Sequence, residues 1–384
     1  MLIALTGFAI WSYLVIARGN FWRADERDDR DRAPLPAPAA WPHVVAVVPA
    51  RDEAGFVAES VGSLLRQAYP GRFAVILVDD HSADGTGTVA RRAAIAAGAA
   101  DRLTILTGAP LPAGWTGKLW AVEQGVRHAD DLPEPPDYML LTDADIVYAP
   151  RALSDLVKRA CAGGLVLTSL MAKLRCVSFA ERALIPAFIF FFQMLYPFAW
   201  VNRLDRRTAG AAGGCMLLRR DALRAAGGIE AIRRELIDDC ALARRLKARG
   251  PIWLGLTEDV RSLRPYRHVG EIRSMVARTA YAQLRESPLL LAATGCGMML
   301  TYIAPPMSTL FGDGAARIVG AASWALMALA FQPTLRFYRV SPWWGLALPV
   351  IATAYLFFTL DSAWQHWRGR GGMWKGRVQA MRSE

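Results

Sequence analysis

Between residues 42 and 256, short and almost wholly apolar runs alternate with segments whose apolar positions recur every three or four residues. HVVAVVPA (43–50) reads as a fully apolar strand, and Val57, Val61, Leu64, Leu65 and Ala68 behind it fall on one helical face. FAVILVDD (73–80), LTIL (103–106), YMLLTDAD (138–145) and GLVLTSL (164–170) predict further strands. Strands separated by helices predict an α/β domain with a mostly parallel sheet.

Outside that region the pattern changes. LIALTGFAIWSYLVIA (2–17) is apolar throughout, with no basic residue before it and no A-x-A site after it, so residues 1–20 are expected to be an uncleaved membrane anchor. Arg18 and Arg23 follow at once, which places the next domain in the cytoplasm by the positive-inside rule. Residues 21–41, charged and then rich in Pro and Ala, read as a linker. Three more apolar stretches, at 288–310, 315–331 and 343–360, predict a C-terminal transmembrane region over 286–362, with Pro305 and Pro306 breaking the first. The basic tail, 363–384, would face outward if all three cross, against the charge rule, so the number of spans stays open.

Composition sharpens this picture. The chain is 53% hydrophobic, with a mean hydropathy of +0.20, high for a purely soluble enzyme. A net charge of +11 suggests nucleic acid, but 40 of the 45 basic residues are arginines scattered along the chain, and an electrostatic footprint should be clustered. Five cysteines without a C-x-x-C pair predict neither disulfides nor a zinc site. The five histidines form no ligand cluster, and no G-x-S-x-G elbow supports a hydrolase triad.

Candidate chemistry lies where strands end. PARDE (49–53), DDHSADGT (79–86) and DADI (143–146) each follow a predicted strand. Any one of them is also an ordinary turn with an Asp cap, but in an open α/β sheet such clusters converge at the carboxyl ends of the strands. No G-x-G-x-x-G or P-loop is present. Asp143 and Asp145 instead offer hard oxygens suited to Mg or Mn held against a diphosphate. Asp238 and Asp239 open a predicted helix with Leu242, Ala243 and Leu246 on its apolar face. They fit a helix-dipole role and a catalytic role equally. Gly213 and Gly214 mark either a tight turn or a close approach to a ligand.

Taken in order, PARDE, VDDHSADGT, GWTGK and DADI resemble the motifs of family 2 glycosyltransferases with a GT-A fold, over residues 42–285. AFIFFFQMLYPFAWVN (187–202) and RTAYAQLRESP (278–288) are similar, more narrowly, to the hopanoid-associated membrane branch. The resemblance implies that Pro49, Arg51 and Glu53 line a nucleoside pocket and that Asp80 contacts the base or ribose. It implies that Lys118 meets a phosphate or the donor sugar, although an isolated Lys is also an ordinary helix start. Asp143 and Asp145 become the metal pair, Asp145 the more direct ligand. Asp239 becomes the catalytic base, with Asp238 where the family usually has Glu, and Gly213, Gly214 and Asp238 face the acceptor. The Q-x-x-R-W of processive synthases is missing; MVART (275–279) carries Met275 and Thr279 instead, which favours a single transfer.

The implied protein is a multi-pass plasma-membrane enzyme, catalytic domain in the cytoplasm, moving one sugar from a nucleotide-diphosphate sugar to a lipid acceptor, with hopanoid metabolism as the setting the narrower resemblance suggests. Alternatives are a polyprenyl-phosphate or carotenoid acceptor, a nucleotidyl- or phosphosugar transferase, and a non-catalytic membrane scaffold. The segment 183–202 is long enough to span, yet a single crossing would put Asp143 and Asp239 on opposite sides of the bilayer. It is therefore expected as an interfacial helix, with Tyr196 and Trp200 near the headgroups, or as a core helix.

Overall fold

The computed structural model describes every residue except 31–33, 375, 376 and 379–384, so those linker and tail positions lie outside the described residues. Helix α1 (Leu2–Ile16) precedes β1 (Val44–Ala50), α2 (Val57–Leu65), β2 (Phe73–Asp79), α3 (Thr86–Ala96), β3 (Leu103–Thr107), α4 (Gly117–Asp130) and β4 (Tyr138–Leu141). There follow β5 (Ile146–Tyr148), α5 (Ala152–Ala162), β6 (Leu167–Lys173), α6 (Phe179–Leu195), α7 (Phe198–Val201), β7 (Met216–Arg219), α8 (Arg220–Ala225), α9 (Asp238–Lys247) and β8 (Ile252–Ser262). Helices α10 (Val269–Ala277) and α11 (Ala280–Gln283) lead into α12 (Pro288–Met298), α13 (Ala304–Phe311), α14 (Gly314–Phe337) and α15 (Leu348–Trp367).

Strands β1 to β8 form one sheet in the order β3-β2-β1-β4-β7-β6-β8-β5, and two short strands, Met373–Trp374 and Arg377–Val378, pair separately. All seven residues of β1 are buried, as expected for a strand covered on both faces. It pairs in parallel with β2 and β4, Ala50 opposite Asp79 and Val47 opposite Leu141, so three carboxyl ends emerge along one edge. The sheet is parallel from β3 to β4 and mixed beyond, because β7 runs antiparallel to both β4 and β6, and β5 antiparallel to β8. That reversal brings the residues before β7 to the same edge.

Two expected boundaries move for local reasons. The strand expected at 164–170 runs from Leu167 to Lys173 because Gly164, at φ +57°, is still turning the chain out of α5. YMLLTDAD leaves the ladder after Leu141, and Thr142 Oγ1 donates to Gly214 O at 2.8 Å.

Side chains alternate across the sheet as strand geometry requires. Val45, Val47, Ile76 and Val78 pack with Leu119, Val122 and Val126 of α4 and Leu242 and Leu246 of α9. Val44, Ala46, Val48, Val75 and Leu77 face Val57, Val61 and Leu64 of α2 and Leu153 and Leu156 of α5. The first core continues without a break into the terminal helices through Phe190, Phe331, Tyr355 and Trp11.

Helix α6 starts on a capping box: Ser178 Oγ accepts from Glu181 N, and the Glu181 carboxylate accepts from Ser178 N. It packs against α10, α14 and α15. Helices α12 and α13 are joined by a π-helical turn, Met299–Ile303, immediately before Pro305 and Pro306. Trp11 of α1 docks there, its Nε1 donating to Thr301 O at 2.7 Å. Among the described residues, three helical stretches are long and apolar enough to cross a membrane: Phe179–Val201, Pro288–Phe311 and Gly314–Phe337. The first is 56% buried within the protein, the others 28% and 33%. Leu289, Phe311, Ile318 and Leu329 point outward from α12 to α14. At 15 residues, α1 is about 22 Å long, short of a hydrocarbon core of about 30 Å.

Candidate active site

The carboxyl ends of β1 and β2 interlock. Arg51 Nη1 donates to Asp80 O at 2.7 Å and pairs with Asp80 Oδ2 at 3.3 Å. Backbone N–H groups of Asp52, Glu53 and Ala54 donate to Ser82 Oγ, Thr86 Oγ1 and Asp84 Oδ2, and Ala83 N returns a bond to Asp52 Oδ1. Asp52 and His81 both adopt left-handed backbone, φ +50° and +54°, a conformation that costs energy and that such cross-bonding sustains. Arg51, Glu53 and Asp80 are thereby held together behind β1 and β2, with Asp80 only 3% exposed.

A second cluster is built on a lysine. Thr116 caps α4, and Lys118 in its first turn reaches Asp143 Oδ1 at 3.1 Å and Asp238 Oδ2 at 3.2 Å. Asp239 is held by two backbone donors, Gly213 N to Oδ2 at 3.0 Å and Cys240 N to Oδ1 at 2.7 Å. A β-carbon on Gly213 would stand 3.4 Å from Lys118 Nζ and 3.6 Å from Asp239 Oδ2, filling the space between ammonium and carboxylate. Gly214 O accepts from Thr142 Oγ1 and Tyr148 OH, tying the β7 approach to the end of β4. Pro49, Lys118, Asp143, Gly213, Asp238 and Asp239 line a single cavity whose floor is apolar, formed by Leu119, Val122, Met216 and Leu242.

Charge is concentrated here. Withdrawal from water, together with the like charge of Asp238, pushes the Asp239 carboxyl up to about 6, against the lowering effect of Lys118 and the two N–H donors. Asp143 is raised too, by desolvation first and by Asp145 and Asp238, with Lys118 opposing. Desolvation works against the Lys118 charge, but Asp143, Asp238 and Asp239 outweigh it and hold the ammonium above its ordinary range.

Asp145 lies on the side of Glu53, 8% exposed. Its Oδ2 accepts from Arg264 Nε at 2.7 Å, and Arg264 Nη2 reaches both oxygens of Glu53. The sequence-expected residues thus form two adjoining groups, Lys118–Asp143–Asp238–Asp239–Gly213 and Arg51–Asp80–Glu53–Asp145. Arg264 belongs to the second and escaped sequence reasoning, being one arginine of many with no motif around it.

Among the described residues, no group of three or more His, Cys, Asp or Glu side chains could hold a metal ion. The acid pair nevertheless fits Mg or Mn in the manner of phosphate-bound cations, which use one or two carboxylates and complete their shell with substrate phosphates and water. One oxygen of each carboxylate is taken by Lys118 or Arg264, leaving the other for a cation.

Residues 45–227 match the family described as Glycosyl transferase family 2. Among solved structures, a mannosyltransferase from Pyrobaculum calidifontis, in complex with GDP-Man and Mn2+, is similar at 19% identity, over 94% of this chain and 99% of its own, with a TM-score of 0.54. Glucosyl-3-phosphoglycerate synthase from Mycobacterium tuberculosis aligns at 17% identity over 64% of this chain and 79% of its own, with a TM-score of 0.40. No curated protein matches the chain. At such identities the solved structures speak to the fold, while residues 45–227 carry the family match. Over that stretch the match is to glycosyltransferase family 2, and the chain has the GT-A fold.

Proposed function

We propose that the protein is a membrane-bound, inverting glycosyltransferase that moves one sugar from a nucleotide-diphosphate sugar to a lipid acceptor. The observation that carries this reading is the single cavity in which Asp143, Lys118 and Asp239 meet, at the carboxyl edge of the sheet. Arg51, Glu53 and Asp80 bind the nucleoside, and Pro49 closes the pocket beside them. Asp143 and Asp145 would hold the Mg or Mn ion, which when bound supplies positive charge against the leaving diphosphate. Lys118 adds its own ammonium on the sugar side. The acceptor hydroxyl enters past Gly213 and Gly214, attacks the anomeric carbon, and gives its proton to Asp239. Gly213 N–H and Cys240 N–H fix that carboxylate, so the proton moves to a defined atom. One base and one displacement imply inversion. Asp238, paired with Lys118, keeps the ammonium beside the base.

The donor class agrees with the GDP-Man and Mn2+ of the Pyrobaculum structure. A lipid acceptor is supported by the continuity of the catalytic core with helices long and apolar enough to cross a membrane. In this reading Arg18 and Arg23 keep the catalytic region in the cytoplasm, and the end of α6 with α7 delivers the lipid headgroup from the interface. A hopanoid-type acceptor rests on the resemblance of residues 187–202 and 278–288.

The test is incubation of the purified protein with UDP-, GDP- and TDP-sugars, Mg or Mn, and a membrane lipid extract, followed by mass spectrometry. A new glycolipid with one added sugar and a released nucleoside diphosphate is the expected result. Release of pyrophosphate instead would move the protein to a nucleotidyl transferase, and inability to bind any nucleotide would leave a scaffold.

A further inference from the structure

Arg264 takes no part in the transfer chemistry, yet it joins two acids that come from different strands. Its Nε donates to Asp145 Oδ2 at 2.7 Å and its Nη2 to the Glu53 oxygens at 2.7 and 2.9 Å. The guanidinium stacks over Phe56, 5.2 Å from the ring centre. A guanidinium carries five N–H donors in a planar fork. These contacts use Nε and Nη2, and among the described residues Nη1 has no acceptor. The side chain of Arg264 is 31% exposed, against 9% for Glu53 and 11% for Asp145. The carboxylates are turned inward to orient the arginine, and the arginine shows its remaining face to the cleft edge.

The backbone beneath it is fixed from two sides. Leu263 N donates to Asp145 O at 2.9 Å. Tyr266 N donates to Glu181 Oε1 at 2.7 Å, and Ser178 Oγ donates to Tyr266 O at 2.9 Å. The turn 263–266 is therefore stapled between the acid-pair loop and the capping box of α6. A flexible cation would lose rotamer freedom on meeting a ligand; this one has already lost it. A planar, immobilised guanidinium beside the acid pair, with the N–H groups of Nη1 still open, is oriented to meet oxyanion oxygens in a way that a mobile point charge is not.

We propose that Arg264 is a donor-binding residue: Glu53 and Asp145 hold it in place, and its free N–H groups take oxygens of the donor's β-phosphate. This role rests on the nucleotide-sugar reading of the site. Its test is binding, not turnover. Wild-type protein, Arg264→Gln and Arg264→Lys, each in detergent with Mn2+, are titrated with UDP and UMP and with GDP and GMP. Arg264→Gln is expected to lose about tenfold or more in diphosphate affinity and no more than about twofold for the monophosphate. Arg264→Lys, which keeps the charge without the fork, should fall between. If Arg264 only shapes the nucleoside pocket through Glu53, both nucleotides weaken by the same factor, and the inference is overturned; unchanged affinities overturn it as well. Should Arg264→Gln lose its cooperative melt, the diphosphate-over-monophosphate ratio of Arg264→Lys decides between these outcomes. A wild-type protein that binds neither UDP nor GDP sinks the donor reading itself, a result separable from every one of these.

Discussion

In the proposed mechanism, it is position that suits Asp239 to act as the base. Its carboxyl, pushed up to about 6 by desolvation and by Asp238, sits close to the pH at which it must accept a proton, where general-base catalysis is most effective. Asp239→Asn keeps an acceptor for only one of the Gly213 and Cys240 N–H groups and cannot take the proton. Transfer is expected to fall by about 10²–10⁴-fold with nucleoside-diphosphate affinity unchanged; titration calorimetry beside a transfer assay separates the two. For the wild type, log kcat/KM should fall below about pH 6 with unit slope, since the protonated acid is inactive. Lys118→Met removes the positive charge that favours the ionised form of Asp239, so that acid limb should move to higher pH. A limb that stays put would detach Lys118 from the base. At this scale the acids were legible because they interrupt apolar runs at strand ends. Arg264 was not, because nothing in L-R-P-Y-R separates it from the other arginines until Asp145 and Glu53 are folded onto it.

Among the elements, α6 carries more than its own length. Glu181, fully buried, accepts from the backbone N–H groups of Val177, Ser178 and Tyr266 and pairs with Arg175. Glu181→Ala would leave those donors without an acceptor, and thermal unfolding in detergent should show a loss of about 2–4 kcal/mol. Ser178→Ala, which removes one cap, should cost about 1 kcal/mol. The Glu181 variant should also weaken nucleoside-diphosphate binding, because Tyr266 and hence Arg264 lose their anchor; unaltered binding would uncouple α6 from the donor side. Hydropathy alone treats α6 and α14 alike, since both are long and apolar. Their neighbours separate them: more of the apolar stretch Phe179–Val201, which contains α6, is buried inside the protein than of Gly314–Phe337. The antiparallel β7, inserted between β4 and β6, was equally hidden in its connectivity: GAAGGCMLL announces a turn and a strand but not which partners the strand takes.

As a whole, the molecule joins a catalytic sheet to terminal helices through one continuous apolar core, so the two parts are expected to resist separation. Membranes carrying the protein should retain it through a high-pH carbonate wash, and release into the supernatant would argue against helices that cross. The alternation of apolar runs and helical repeats by itself determined that the chain is α/β with apolar helices at its ends, because local burial periods are written directly in residue order. It also determined which acids stand at strand tips, since a carboxylate closing an apolar run has only an end to occupy. Tertiary structure alone decided that Asp143, Asp238 and Asp239 share one ammonium, that Arg264 binds Asp145, and that α6 lies half inside the fold. Those are pairings between residues about 25 to 120 positions apart, set by sheet order and by three-dimensional packing, and no local periodicity encodes them.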